Sequence, residues 1–200
     1  MSREVWIIPT GTANVASIVA GLSRAGARAC LSENPREIEA APFAVLPGVG
    51  AFGAAMERLG SNGLGAVVVS RIRSGAPTLC VCLGLQLLFE ASEESPAVRG
   101  LGVVQGTVGR FSGNVRVPQF GWNKVEPDSE CRLIAPGHAY FANSYRVTSV
   151  PGGFAAAFAD HGGRFVAAFE RGGLLACQFH PELSGELGIA LIRRWIDACG

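Results

Sequence analysis

The apolar positions of this chain follow two regimes. Up to about residue 91, short apolar runs alternate with stretches in which apolar residues recur at helical spacing. Glu4–Ile8 reads as a short buried strand closed by Pro9, and Thr10-Gly11-Thr12 as a turn. Val15, Ile18, Val19 and Leu22 mark the inner face of a helix that Asn14 is placed to cap and Gly26 to end. Further strands are expected at 27–31, Phe43–Leu46 and Thr78–Val81, with helices over Ala54–Leu59, Leu64–Arg73 and Leu83–Ala91. From Leu101 to about Val147 the helical period disappears. Gly, Pro, Asn and Asp punctuate short apolar runs there, the pattern of antiparallel strands. Two more strands are expected near 164–169 and 173–179. An amphipathic helix follows over Gly185–Ala198, with Ser184 as its N-cap and Leu187, Leu191, Ile192 and Trp195 on one face.

Alternating strands and helices require a parallel sheet covered on both faces. The expectation is an α/β fold of three layers, flavodoxin-like: a mostly parallel central sheet flanked by helices, with an antiparallel excursion around 101–147. Residues 1–200 should form one domain.

Charge removes some function classes. Lys plus Arg number 17 against 16 Asp plus Glu, without a polybasic run, so neither nucleic acid nor a membrane surface is an expected partner. No apolar run approaches the ~18 residues of a membrane span, and the start lacks the pattern of a signal peptide. The six cysteines show no Cys-x-x-Cys pair, so no metal or other cofactor is expected. A reducing cytoplasmic setting is expected, in which Cys30, Cys80, Cys131, Cys177 and Cys199 stay reduced.

Candidate chemistry starts at Cys82. The run Thr78-Leu-Cys-Val-Cys82-Leu-Gly-Leu-Gln86 reads as an apolar strand turning sharply into a helix. A residue on such an elbow stands above the sheet edge, beside the positive end of the helix. A free thiol is only a few per cent thiolate at neutral pH, so a cysteine hydrolase needs a base within reach. His138 enters a strand and His161 sits in a turn. His180 ends an apolar strand, where parallel sheets gather active sites, and Glu182 projects to the same side two residues later. That carboxylate can accept the imidazole N–H and fix its tautomer. Pro47-Gly48-Val49-Gly50 follows another strand and offers amide N–H groups to an oxyanion, as does the N–H of Leu83. Each segment alone also has a bland reading: a buried cysteine, a solvated loop histidine, an ordinary tight turn.

Taken together and in order, the glycine loop, Cys82-Leu-Gly-Leu-Gln86 and His180-Pro-Glu182 resemble the class I (triad) glutamine amidotransferase family. The resemblance spans nearly the whole chain. Pro47–Leu59, Cys82–Ser95, Gly121-Trp122-Asn123, Tyr140-Phe141, Ser144-Tyr145 and the first turn Thr10–Asn14 are similar to one branch of it. It implies glutamine hydrolysis by a triad of Cys82, His180 and Glu182, with Gly48, Val49, Gly50 and Leu83 forming the oxyanion hole. Gln86, Asn143, Ser144 and Tyr145 would hold the substrate L-glutamine. It also implies a heterodimeric partner, a synthase or cyclase subunit with a (β/α)8 barrel that receives the ammonia. The chain departs from the family at Cys80, Gln119-Phe120, Asn143 and Leu183, which stand where Gly, His-Met, His and a basic residue are usual. Three other readings stay open: the glutaminase of a different amidotransferase complex, a glutaminase-like module without catalysis, and an unrelated α/β cysteine hydrolase or redox sensor.

Overall fold

A computed structural model describes residues 3–11 and 14–200. Thr12, the last residue of the expected first turn, and Ala13 lie outside the described residues.

The first half alternates as the pattern requires. It runs β1 (Arg3–Ile7), α1 (Val15–Arg24), β2 (Ala27–Leu31), α2 (Pro35–Ala40), β3 (Phe43–Leu46), α3 (Phe52–Ser61), α4 (Leu64–Ser74), β4 (Thr78–Val81) and α5 (Leu83–Leu87). Asn14 caps α1, its side chain accepting the Ser17 N–H at 3.3 Å. Every residue of β3 and β4 is buried, as expected for strands covered on both faces. The second half contains β5 (Phe89–Ser92), β6 (Val104–Arg110), β7 (Gln119–Pro127), β8 (Gly137–Asn143), β9 (Tyr145–Arg146), β10 (Ala155–Asp160), β11 (Arg164–Arg171), β12 (Leu174–Cys177), a 3-10 turn at Pro181–Leu183 and α6 (Gly185–Cys199).

Among the described residues these strands build a nine-stranded sheet, β2-β1-β3-β4-β12-β11-β10-β7-β8, and a three-stranded one, β5-β6-β9. The five strands from β2 to β12 are mutually parallel, and the remaining four continue the sheet with antiparallel pairing. Apolar side chains fill both faces. Val5, Val45, Phe141 and Trp195 lie in one cluster, and Leu46, Phe52, Val68 and Phe169 in the other. The sheet is thus the middle layer of three.

Two local expectations are corrected, and one is met with a different pairing. The helix after Cys82 stops at Leu87 instead of continuing to Ala91. The N–H of Leu101 takes the Leu87 carbonyl, and those of Val103 and Val104 take the Leu88 carbonyl, so the chain leaves the helix as β5. The antiparallel excursion expected around 101–147 is present, β7 pairing antiparallel with β8 and β6 with β9. β6 pairs in parallel with β5, while β7 and β8 extend the main sheet. Ser184 stands at the N-cap position of α6, but its hydroxyl does not cap that helix. It donates to the His180 carbonyl at 2.6 Å and accepts the Tyr140 N–H at 2.9 Å.

At the opposite end of the parallel strands from these features, Arg71 of α4 is buried. Its guanidinium donates to the carbonyls of Ile38, Glu39, Ala41 and Pro77, tying α4 to the segments that enter β3 and β4.

Candidate active site

Three neighbouring parallel strands deliver the three motifs. β3 runs into Pro47–Gly50, β4 into Cys82, and β12 through Gln178 to His180. Because β3, β4 and β12 are adjacent, segments more than 90 residues apart meet at one sheet edge, the carboxyl ends of the strands.

Cys82 has φ 53° and ψ −108°, the only non-glycine residue at positive φ among those described. Such backbone is sparsely populated and costs about 1–3 kcal/mol. The surrounding contacts hold it: the Cys82 N–H donates to the Cys177 carbonyl at 2.7 Å, and its own carbonyl accepts the Leu85 N–H at 3.1 Å. The result is a strand-to-helix elbow with the sulfur facing a cavity. Gly84 lets this turn approach β3, since a Cβ there would collide with the Leu46 carbonyl.

On one side His180 faces Cys82 across the cavity that both line. On the other, Nδ1 meets Glu182 Oε1 at 2.8 Å, both side chains being buried. Burial works against an imidazolium, but the hydrogen bonds and charges of Cys82 and Glu182 outweigh it and push His180 up to about 10. The His180 N–H donates to the Tyr140 carbonyl at 2.9 Å, so β8 fixes the segment from the side. Glu182 is seated between two helices. A Cβ on Gly21 of α1 would lie 2.7 Å from the Glu182 Cβ, and one on Gly188 of α6 would strike the Pro181 carbonyl.

Cys82 and His180 line a cavity of about 350 Å³ together with Val49, Gly50, Leu83, Gln86, Asn143, Ser144 and Tyr145. Every residue expected at the site except Gly48 and Glu182 therefore faces one space. Gly48 lies against Leu83 and Glu182 lies behind His180. Larger concavities of about 700 Å³ along Ser129–Leu133 and about 910 Å³ along α3 and α4 contain no histidine and none of Cys82, His180 and Glu182, so chemistry and not size selects the smaller one.

The structure adds residues that the motifs did not nominate. Glu94 lines the cavity and accepts the Phe52 N–H at 2.8 Å, at the start of α3 just beyond the glycine loop. The Glu-Glu-Ser run of 93–95 after an expected helix carried the signal, but its position across from Gly50 was not readable. Phe120 also lines the cavity. Gln119 and Asn143, two separate departures in the sequence, are cross-strand partners in the β7–β8 register. His138 is exposed on β8, and His161 bonds the Arg116 carbonyl at 2.8 Å and packs on Phe111; neither lines the cavity. Cys80 and Cys177 are fully buried, which raises both thiols well above the ordinary range.

Among the described residues, no helix is long and apolar enough to cross a membrane.

Comparison with known proteins agrees with this geometry. The family described as glutamine amidotransferase class-I matches residues 10–197. Imidazole glycerol phosphate synthase subunit HisH of Symbiobacterium thermophilum is 39% identical over 199 residues, covering 98% of this chain and 93% of the relative. The chloroplastic imidazole glycerol phosphate synthase hisHF of Arabidopsis thaliana is 37% identical over 201 residues, covering 96% of this chain and 34% of that longer protein. In three dimensions, a crystal structure of a glutamine amidotransferase superposes with a TM-score of 0.79 at 20% identity, covering 98% of each chain, a likeness of fold. With strand order, elbow and sequence in agreement over nearly its full length, this chain belongs to the class-I glutamine amidotransferase family.

Proposed function

We propose that this chain is the glutaminase subunit of an imidazole glycerol phosphate synthase. It hydrolyses L-glutamine to glutamate and ammonia and hands the ammonia to a synthase subunit with a (β/α)8 barrel. That partner makes imidazole glycerol phosphate and aminoimidazole carboxamide ribotide in histidine biosynthesis. The observation that carries the glutaminase part is the Cys82–His180–Glu182 alignment at the mouth of the 350 Å³ cavity.

In this reading the Cys82 sulfur attacks the side-chain amide carbon of glutamine. The carbonyl oxygen becomes an oxyanion, received by the Leu83 N–H and an amide of the Gly48–Gly50 loop. The His180 imidazolium gives its proton to the departing nitrogen, so ammonia leaves and a thioester remains on Cys82. Neutral His180 then takes a proton from water, whose oxygen attacks the thioester and releases glutamate. Glu182 keeps Nδ1 protonated and Nε2 towards the sulfur through the cycle. Substrate recognition fits the lining. Asn143 Oδ1 is buried and finds no hydrogen-bond donor among the described residues, and Glu94 presents a carboxylate, so both suit the ammonium end of an amino acid. Gln86, Ser144 and Tyr145 complete the wall.

The partner reading draws on the surface beside the cavity. Phe120 and Trp122 are 64% and 59% exposed on one face of β7, and Leu183 is 41% exposed next to the triad. Exposed apolar side chains grouped around an active-site mouth suit a protein interface. The relatives' names, a subunit of imidazole glycerol phosphate synthase and a longer hisHF protein with about two thirds of its length outside the matched region, support a synthase partner. Ammonia released to water would protonate, so delivery across such an interface has a chemical reason.

The test is to measure glutamate release by the chain alone and on titration with a cyclase subunit, with and without that subunit's nucleotide ligand. Activity that appears on binding and rises with the ligand supports the proposal. Full activity without a partner, or no binding to the cyclase subunit, counts against it.

A further inference from the structure

Gln178 is fully buried one residue beyond β12, and none of the triad, oxyanion or substrate roles uses it. The register explains where it stands. Cys177 pairs with Val81, so the next residue on each strand brings Gln178 beside Cys82. Its Nε2 lies 3.7 Å from the Cys82 Sγ, and its Oε1 lies 2.9 Å from Gln86 Nε2.

The direction of this chain of amides is fixed by one group that cannot donate. The Tyr145 carbonyl accepts the Gln86 Nε2–H at 3.2 Å and the Asn143 Nδ2–H at 2.9 Å. The Gln86 amide must therefore present nitrogen to Tyr145, and that same nitrogen donates its second proton to Gln178 Oε1. Gln178 Oε1 being the acceptor, its NH2 must face the sulfur. An N–H aimed at sulfur favours the thiolate over the thiol, because only the thiolate gains a strong acceptor. The other neighbour is the Ala142 carbonyl at 3.9 Å, which suits an S–H donor and not a thiolate. The remaining titratable groups around the sulfur's cavity are His180, with Glu182 behind it, and Glu94 and Tyr145 on the cavity wall. Cys80 and Cys177 on the adjoining strands are kept protonated by burial.

We infer that Gln178 is a positioning residue of this enzyme: through the directed chain Tyr145 C=O, Gln86, Gln178, its amide donates a hydrogen bond to the Cys82 sulfur, placing it for attack and tying its reactivity to the substrate-binding strand. The inference rests on the glutaminase reading for its biological meaning, but its test does not need glutamine turnover.

The probe is iodoacetamide, which reports the nucleophilicity of Cys82 in the intact chain. Cys82→Ser identifies the fraction of labelling that belongs to this thiol. Gln178→Met keeps length and burial and removes the N–H. Alkylation of Cys82 at pH 7 is expected to slow about tenfold, with the rise of rate with pH displaced by about one unit to higher pH. Gln86→Met, which frees the Gln178 amide to turn, is expected to shift the profile less and in the same sense. The double variant should be no slower than Gln178→Met alone, because both changes break one chain. Thermal unfolding checks that each variant is folded. If Gln178→Met does not fold, the Gln86→Met profile decides. A pH profile equal to wild type in the folded variants, or strictly additive effects, overturns the inference. A wild-type chain that never hydrolyses glutamine with any partner would instead remove the glutaminase reading and leave the alkylation result standing.

Discussion

The Gly48 carbonyl accepts the Leu83 N–H at 3.3 Å. The amide expected to receive an oxyanion is thus engaged by the loop expected to supply the second donor. For the proposed chemistry the Gly48–Val49 peptide must rotate, which withdraws its C=O from Leu83 and brings its N–H to the same place. Gly48 packs too closely on Leu83 for any side chain, a Cβ lying 2.6 Å from that of Leu83, while Gly50 is exposed at φ 103°. Gly50→Val restricts the loop without touching the core. We expect turnover by the activated complex to fall about 10²–10³-fold, the usual cost of one oxyanion donor. Val at that φ carries strain of about 1–3 kcal/mol, so the thermal midpoint should fall by several degrees while the folded complex loses far more in turnover. Equal turnover at saturating glutamine would show that the loop plays no such part.

The triad gives a graded series. Cys82→Ala should leave no measurable glutamate release, and His180→Ala should come close to it. Glu182→Ala should cost less than either, since it removes the partner that orients the ring and not the proton acceptor. Wild-type turnover in Cys82→Ala would reject the nucleophile.

His180 should titrate far above an ordinary histidine. The largest opposing influence is burial, and the hydrogen bond to Cys82 is the largest of those that raise it to about 10. Removing an interaction that favours the charged form lowers a pKa. In Cys82→Ala the ring should therefore lose its proton at lower pH than in wild type, and Glu182→Gln should move it the same way. Ring-proton NMR across pH 5–11 would measure both. An unchanged or raised midpoint in Cys82→Ala would contradict the assigned contacts.

Arg71 offers a test of stability apart from catalysis. Arg71→Met removes the guanidinium from four carbonyls, of which those of Ile38 and Pro77 keep a backbone N–H and those of Glu39 and Ala41 lose the buried donor described above. Urea unfolding should show a loss of about 3–5 kcal/mol, the upper range for breaking a buried network. Those carbonyls precede β3 and β4, whereas the cavity lies after them, so kcat/KM of the folded fraction should stay within about twofold. A comparable loss of kcat/KM in folded enzyme would mean that the two ends are coupled.

How far the sequence carried this picture differs from element to element. β3 and β4 were legible because strands covered on both faces read as unbroken apolar runs, and α1 because Asn14, its apolar spacing and Gly26 agree. The helix α2 escaped the apolar pattern because its six residues bury only Ile38, although Asn34-Pro35 is a sound start signal. β10 escaped because Ala155-Ala-Ala-Phe-Ala159 suits a helix as well as a strand, and only its pairing with β11 and β7 decides. The overextended helix after Cys82 was a competition between local propensity and the backbone of 101–104, which no local pattern reveals. At the site, Cys82, His180, Glu182 and the glycine loop were nominated by residue type and order, and the fold brings them to one sheet edge. Gln178, Glu94 and the pairing of Gln119 with Asn143 were not nominated, because amides and carboxylates are common and only register shows which of them meet.

The seat of Glu182 has a temporal meaning. Its backing comes from α1 on one side, through Gly21, and its segment is pressed from the other by α6, through Gly188. The helix following β1 and the helix following β12 thus close on the same few atoms. During synthesis, a nascent chain with Cys82 and His180 already outside the ribosome still lacks that second wall until Gly185–Cys199 has emerged and docked. The backing of Glu182 therefore joins parts of the chain made at different times, α1 early and α6 after His180 itself.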